Sequence, residues 1–145
     1  MPSSTDLLDV NVWLALGVEA HAHHECAQKY WENAAAPITA FCRVTHLAFL
    51  RHLSNKSIMG DQVLTPSVAW KKGAEFLALP EVRCLTEPAG LDEQLGKFCA
   101  LGRMSPNWWT DAYLASFARS AGLRLVTFDQ GFSKFSGLDL LLLQP

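Results

Sequence analysis

The sequence predicts one α/β domain spanning residues 1–145, a three-layer α/β/α sandwich around a parallel sheet of about five strands. Half of the residues are hydrophobic, which is enough for one sizeable core. Short apolar segments alternate with longer segments of helical period, a pattern typical of a parallel sheet covered on both faces. Right-handed crossovers then favour a doubly wound sheet, for which we expect the strand order 3-2-1-4-5.

Five short apolar runs are the predicted strands. Two of them end next to an aspartate, because Asp9 interrupts the first run and Asp129 directly follows the fourth. The predicted strands are Asp6–Val10, Pro37–Ala40, Val82–Leu85, Arg124–Phe128 and Leu138–Leu143.

The intervening segments are predicted helices. Thr65-Pro66 and Ser105-Pro106 each supply a capping residue followed by a proline suited to a first turn, and Gly122 supplies a stop. Within the third helix we expect Leu47 and Leu50 to face inward. The predicted helices are Asn11–Val18, Ala22–Ala35, Val44–Leu53, Thr65 to about Leu79, Leu91–Leu101 and Ser105–Ala121, with a loop at Asn55–Gln62.

Composition restricts the classes of function. The formal net charge of −2 gives no global attraction to nucleic acid or to a membrane, so any RNA contact must come from a local patch. The four cysteines lie in apolar segments without a CxxC pair, which favours buried, reduced thiols and excludes a zinc finger. The N-terminus lacks the basic region of a signal peptide, so we expect a cytoplasmic protein without a membrane span.

Three aspartates are the candidate site. The carboxyl ends of neighbouring parallel strands meet at one edge, which places the carboxylates of Asp9 and Asp129 roughly 5–10 Å apart. Asp111 lies near the start of a long helix. Carboxylates held together repel one another unless a divalent cation compensates them, and Mg²⁺ prefers such oxygen ligands. Asn11 and Thr127 are candidates for orienting these carboxylates or their waters. Taken alone, Asp129 is equally typical of a turn or cap residue.

The blocks that contain these aspartates resemble a known family. The phrases 7–12 (Leu-Leu-Asp-Val-Asn-Val), 109–114 (Trp-Thr-Asp-Ala-Tyr-Leu) and 125–132 (Leu-Val-Thr-Phe-Asp-Gln-Gly-Phe) resemble the signature blocks of PIN-domain proteins, above all the VapC-type ribonuclease toxins of bacterial toxin–antitoxin pairs. The resemblance covers essentially the whole chain. It implies a PIN-like fold and a Mg²⁺- or Mn²⁺-dependent endoribonuclease that is a homodimer, acts on RNA and is neutralised by a small antitoxin protein. It also implies that Asp9, Asp111 and Asp129 are the metal-site acids.

One position departs from the family pattern. When Thr45 and Arg51 are placed on the family's Thr-Glu…Arg pattern, His46 occupies the position of a further acid. A neutral imidazole can ligate Mn²⁺ or softer ions, bind a ligand water or contact phosphate. We therefore expect His46 at the rim of the catalytic site, although its presence is equally compatible with weakened catalysis or with a bystander.

Other polar clusters are weaker candidates. Arg43 and Arg51 lie eight residues apart on one side of a predicted helix, where they could contact RNA phosphates or form an ordinary solvated face. The histidines at 21, 23 and 24 do not complete an HExxH motif, because residue 28 is glutamine. They are more typical of a solvated loop and helix start.

Two other classes of function remain open from the sequence. An aspartyl phosphatase of the haloacid-dehalogenase type would also place an acid after strand one, but it requires a second aspartate where this chain has Asn11. A PIN-like module that binds RNA or protein with weakened catalysis is favoured by His46 in place of an acid.

Overall fold

The computed structural model describes residues 4–102 and 104–145. Residues 1–3, which begin the N-terminal stretch where we expect no signal peptide, lie outside the described residues. None of the helices in the described part has the length and apolar character needed to cross a membrane.

The sheet has the predicted strand order 3-2-1-4-5, and all five strands are parallel. The second strand runs two residues further than predicted, because Phe41 and Cys42 still pair with the third strand at Cys84 and Leu85. The strands are β1 (Thr5–Leu8), β2 (Ile38–Cys42), β3 (Val82–Leu85), β4 (Arg124–Thr127) and β5 (Leu140–Leu142).

Helices cover both faces of this sheet. Leu7 and Leu8 are adjacent on β1 and fully buried, but they enter opposite cores because successive strand side chains alternate between faces. The Leu8 core contains the first, second, third and fifth helices of the described chain, and the Leu7 core contains the sixth and seventh. The helices are α1 (Val10–Gly17), α2 (His24–Asn33), α3 (Arg43–Leu53), α4 (Lys56–Met59), α5 (Pro66–Leu77), α6 (Leu91–Phe98) and α7 (Trp108–Ala121).

The segment predicted as a loop at Asn55–Gln62 is largely helical, so that prediction is wrong. Asn55 accepts a hydrogen bond from the backbone N–H of Ser57 at 2.9 Å and thereby caps α4. A 3-10 turn at Gly60–Gln62 follows directly. A four-residue helix is too short to produce a hydrophobic period in the sequence.

The start of α7 also differs from the prediction. Ser105 and Pro106 do not open the helix, because the backbone N–H of Trp108 donates to the Ser105 carbonyl at 3.1 Å and closes a turn. Proline at the second position of such a turn satisfies the same φ requirement as proline in a first helical turn. The predicted stop is confirmed, since Gly122 has the left-handed φ of 68°.

Two predicted burials are wrong. Leu47 is 51 % exposed, because α3 instead buries Phe49 and Leu53 against the sheet and α5. Among the free cysteines, Cys42 is buried in β2, but Cys99 is exposed beyond the end of α6.

Candidate active site

Asp9 stands where β1 becomes α1. Its backbone N–H donates to the carbonyl of Val126 at 2.9 Å, which extends the pairing of β1 with β4 by one position. Its extended backbone (φ −62°, ψ 156°) then turns the chain into α1, and its Oδ1 accepts a hydrogen bond from the Val10 N–H at 2.7 Å. The side chain is 8 % exposed. Strand pairing and helix capping together hold this carboxylate at the carboxyl edge of the sheet.

Thr127 connects Asp9 to the end of β4. Its buried hydroxyl donates to Asp9 Oδ2 at 2.8 Å and accepts from the backbone N–H of Asp129 at 3.0 Å. The Asn11 side chain donates to the same hydroxyl at 3.3 Å and accepts from the Phe128 N–H at 3.4 Å. The hydroxyl therefore uses its one donor and both acceptor positions, which fixes its orientation toward Asp9.

Asp129 is exposed and caps the 3-10 helix Gln130–Lys134. Its Oδ1 accepts from the Gly131 N–H at 2.8 Å. A Cβ at Gly131 would lie 3.0 Å from this oxygen, so glycine leaves room for the carboxylate. Asp129 is therefore a cap residue, as one interpretation of the sequence predicts. Its charge also raises the pKa values of Asp9 and Asp111.

The three aspartates share one electrostatic environment. Burial raises the pKa of Asp111, in the first turn of α7, to about 6, and the charges of Asp9 and Asp129 add to the effect. Burial also raises the pKa of Asp9, with hydrogen bonds from Thr127 and Val10 opposing it and Asp129 reinforcing it. The acids are therefore close enough to destabilise one another when ionised.

The donor set fits a hard divalent cation. Among the described residues, no three His, Cys, Asp or Glu side chains are arranged to ligate one ion directly. Mg²⁺ does not require this, since it usually takes one or two carboxylates and keeps several waters. A cation at this edge would also remove the mutual repulsion that raises the pKa of Asp111.

His46 is buried between α3 and α5. Its ring makes edge contacts with Phe41 and Trp70, each with centroids 5.7 Å apart. Its Nδ1 lies 2.7 Å from Arg43 Nη1 and must accept that hydrogen bond, because a guanidinium has no acceptor. Burial lowers the pKa of His46, and the charge of Arg43 lowers it further. The imidazole is therefore neutral, and none of these contacts involves the three aspartates.

The structure adds one cation to the site that the sequence reasoning missed. The charge of Lys134 opposes the rise in the pKa of Asp111 that burial causes. The only sequence signal for Lys134 is its place five residues after Asp129.

The remaining candidates are two arginines on α3 and a histidine-rich segment. Arg43 and Arg51 are both exposed on α3, and Arg43 is engaged with His46. The histidine-rich segment does form a loop and helix start, with α2 beginning at His24. The ring of His23 nevertheless stacks on Phe128 at 4.9 Å, so this loop reaches the end of β4.

Comparison with protein families finds a match to the PIN domain over residues 7–138. The chain is 37 % identical to Ribonuclease VapC41 of Mycobacterium tuberculosis over 142 residues, which cover 94 % of this chain and 97 % of the relative. It is 29 % identical to Ribonuclease VapC39 of the same organism, again over 94 % of this chain and 97 % of that one.

Solved structures share the fold. VapC20 of Mycobacterium tuberculosis, described as a sarcin-ricin loop cleaving toxin, superposes with a TM-score of 0.69 at 20 % identity and covers 92 % of this chain and 97 % of its own. The VapBC2 complex of Rickettsia felis, bound to a promoter DNA fragment, contains a chain with a TM-score of 0.67 at 15 % identity, covering 97 % of this chain and 99 % of that one.

Proposed function

The chain belongs to the PIN-domain family, and on that premise we propose that it is a metal-dependent endoribonuclease of the toxin type, which hydrolyses RNA phosphodiester bonds. The observation that supports the proposal is the pKa of Asp111, which burial raises to about 6 and to which the charges of Asp9 and Asp129, at the carboxyl ends of two neighbouring strands, add. The ribonuclease names of the similar mycobacterial proteins support RNA as the substrate.

We assign Asp9, Asp111 and Asp129 to the binding of Mg²⁺ or Mn²⁺. A bound divalent ion supplies a nucleophilic water and stabilises charge on the phosphoryl oxygen. Thr127 holds the Asp9 carboxylate in one orientation through its 2.8 Å hydrogen bond, and Asn11 holds the Thr127 hydroxyl. Arg43 and Arg51, exposed on α3, are the proposed RNA contacts.

The proposal includes protein partners. Similar folds occur in solved toxin–antitoxin complexes, including one from Klebsiella pneumoniae, which supports a small cognate antitoxin for this chain. A homodimer is supported by two large apolar side chains left exposed on neighbouring helices, Leu47 on α3 (51 %) and Trp70 on α5 (59 %). We propose that the chain acts as a single domain in this assembly.

Cleavage of total RNA by the purified protein tests the function, with Mg²⁺, Mn²⁺ or EDTA. We expect EDTA to abolish cleavage, and Asp9→Asn or Asp111→Asn to reduce it about 100-fold or more, because each removes a metal-site carboxylate. Asp92→Asn is the matched control, since Asp92 is also an acid in a first helical turn but is exposed on α6. Undiminished cleavage in the Asp9 and Asp111 variants would refute the proposal.

A second candidate is a PIN-like module that binds RNA or protein with weakened catalysis. It is favoured by the burial of a neutral His46 at the position where the family usually has an acid. RNA binding without cleavage in either Mg²⁺ or Mn²⁺, unchanged by His46→Glu, would support this candidate over the nuclease.

A further inference from the structure

Lys134 occupies a defined position beside the candidate active site. It ends the 3-10 helix that Asp129 caps. Its Nζ lies 5.0 Å from the centroid of the Trp108 ring and 5.3 Å from that of Phe135, within the range of cation–π attraction. Both rings are 3 % exposed, so they form a fixed support beneath the ammonium group.

This support places the ammonium group at the start of α7. Trp108 is the first residue of that helix, and Asp111 lies three residues later, on the same side one turn along. The electrostatic effect of Lys134 on Asp111, which lowers the pKa of that carboxyl, agrees with this placement.

The charge of Lys134 is not neutralised by an ion pair. Within the described residues, the carboxylate pairs at 4.0 Å or less involve Lys29, Lys97 and Arg124, and none involves Lys134. Lys134 therefore presents an exposed positive charge that acts on Asp111, at a site whose acids would otherwise repel an RNA backbone.

We propose that Lys134 binds a backbone phosphate of the RNA substrate, with the Trp108 and Phe135 rings holding its ammonium group at the start of α7, on the side of Asp111. This assignment rests on the proposed ribonuclease function, because it takes RNA as the ligand. A lysine ammonium is a compact point charge that contacts phosphate without base specificity. Lys134 is thus a positioning residue that brings the phosphodiester to the carboxylates.

The dependence of RNA binding on salt tests the proposal. A short fluorescein-labelled single-stranded RNA of mixed sequence is titrated with the full-length protein in EDTA, and fluorescence anisotropy gives Kd between about 50 and 200 mM salt. We expect Lys134→Gln to weaken binding about fivefold and to reduce the slope of log Kd against log salt by about 0.7, the value for one phosphate contact on a single strand. Lys134→Arg keeps the positive charge, so it should retain both the RNA affinity and the salt slope of the wild-type protein.

Lys97→Gln is the matched control, because Lys97 is also exposed but is paired with Glu93 at 3.8 Å. We expect it to leave the slope unchanged. In the cleavage assay with metal, Lys134→Gln should raise KM more than it lowers kcat, whereas general destabilisation would not alter the salt slope. Lys134→Ala is a second variant in case the glutamine disturbs packing on the rings.

The outcomes separate this proposal from the proposed function. If Lys134→Gln and Lys134→Ala bind with the affinity and slope of Lys97→Gln, or if the wild-type protein does not bind the RNA, the assignment of Lys134 is overturned. RNA that binds with the expected Lys134 dependence but is never cleaved in Mg²⁺ or Mn²⁺ counts against the nuclease and leaves the phosphate contact standing.

Discussion

The two ends of β1 carry buried aspartates with opposite surroundings. Asp6, at the amino end, is fully buried and receives two hydrogen bonds of 2.8 Å from Arg124, one from the Tyr30 hydroxyl and one from the Ala36 N–H. Asp9, three residues later, accepts hydrogen bonds only from neutral donors, and Asp129 is the charged neighbour with the largest effect on its pKa.

The difference separates a structural carboxylate, Asp6, from the carboxylate that we propose as a metal ligand, Asp9. The protein itself supplies the positive charge that compensates Asp6, so this end of the sheet is complete without a ligand. At the other end, burial and the charge of Asp129 disfavour ionised Asp9, and the proposed metal ion would supply the compensating charge. On this proposal, stability and metal binding reside at opposite ends of the same strand.

Substituting the two aspartates one at a time should give the largest difference, which is a difference in the free energy of unfolding. We expect Asp6→Ala to lower the free energy of unfolding by about 3–5 kcal/mol, because it leaves the Arg124 guanidinium and the Tyr30 hydroxyl without their buried partner. Asp9→Asn should leave it unchanged or raise it in EDTA, since it removes a desolvated charge. Urea denaturation of both variants measures the difference. Equal losses in the two variants would contradict the assignment of separate roles.

The sequence predicted a candidate site at Asp9 but did not predict the ion pair that Asp6 forms at the other end of β1. Asp9 was identifiable because it interrupts an apolar run at a strand terminus, and parallel topology brings all such termini to one edge. Asp6 lies just as close to that run, but its partner Arg124 is 118 residues away, and no local pattern encodes the pair. The strand order that makes Asp6 and Arg124 register partners was predicted, whereas the side-chain network built on it was not.

Tertiary packing explains the other differences. The Ser105-Pro106 pair satisfies the rules for a helix start and for a turn equally well, and the structure forms the turn ahead of the buried Trp108. Lys134 was missed because its role depends on two rings that only the fold brings beneath it. His46 was identified from its place in a family pattern, but the sequence could not reveal its contacts with Trp70 and Arg43.

Removing the Thr127 hydroxyl, which donates to Asp9, should have a smaller effect, and that effect should appear in the affinity for metal. We expect Thr127→Val to weaken Mn²⁺ binding about 10- to 100-fold, because it frees the Asp9 carboxylate and leaves the Asp129 N–H without its acceptor. Isothermal titration calorimetry measures the affinity. Thr45→Val is the control, since the Thr45 hydroxyl is also buried but donates to the Cys42 carbonyl. A similar loss of Mn²⁺ affinity in both variants would mean that Thr127 acts only through stability.

The smallest expected effect is the pH dependence that Asp111 gives to stability. Its pKa is raised to about 6 in the folded protein, above the ordinary 3.8, so the folded state binds the proton more tightly than the unfolded state. The resulting stability is complete below about pH 4 and is lost as the pH rises through about 6. Because the side chain is only partly buried, solvent screening reduces the expected change to about 1 kcal/mol.

Urea midpoints of the metal-free protein near pH 4 and pH 7.5 measure this change. Asp111→Asn carries no titrating group at that position, so it should lose less stability over this range than the wild-type protein, while the exposed control Asp92→Asn should behave like the wild type. Adding Mg²⁺ at pH 7.5 should stabilise the wild-type protein more than Asp111→Asn, since a ligand of the folded state stabilises it in proportion to its affinity. If Asp111→Asn and the wild type lose stability in parallel, Asp111 is already compensated within the protein, as Asp6 is, and the contrast between the two ends of the sheet rests on Asp9 alone.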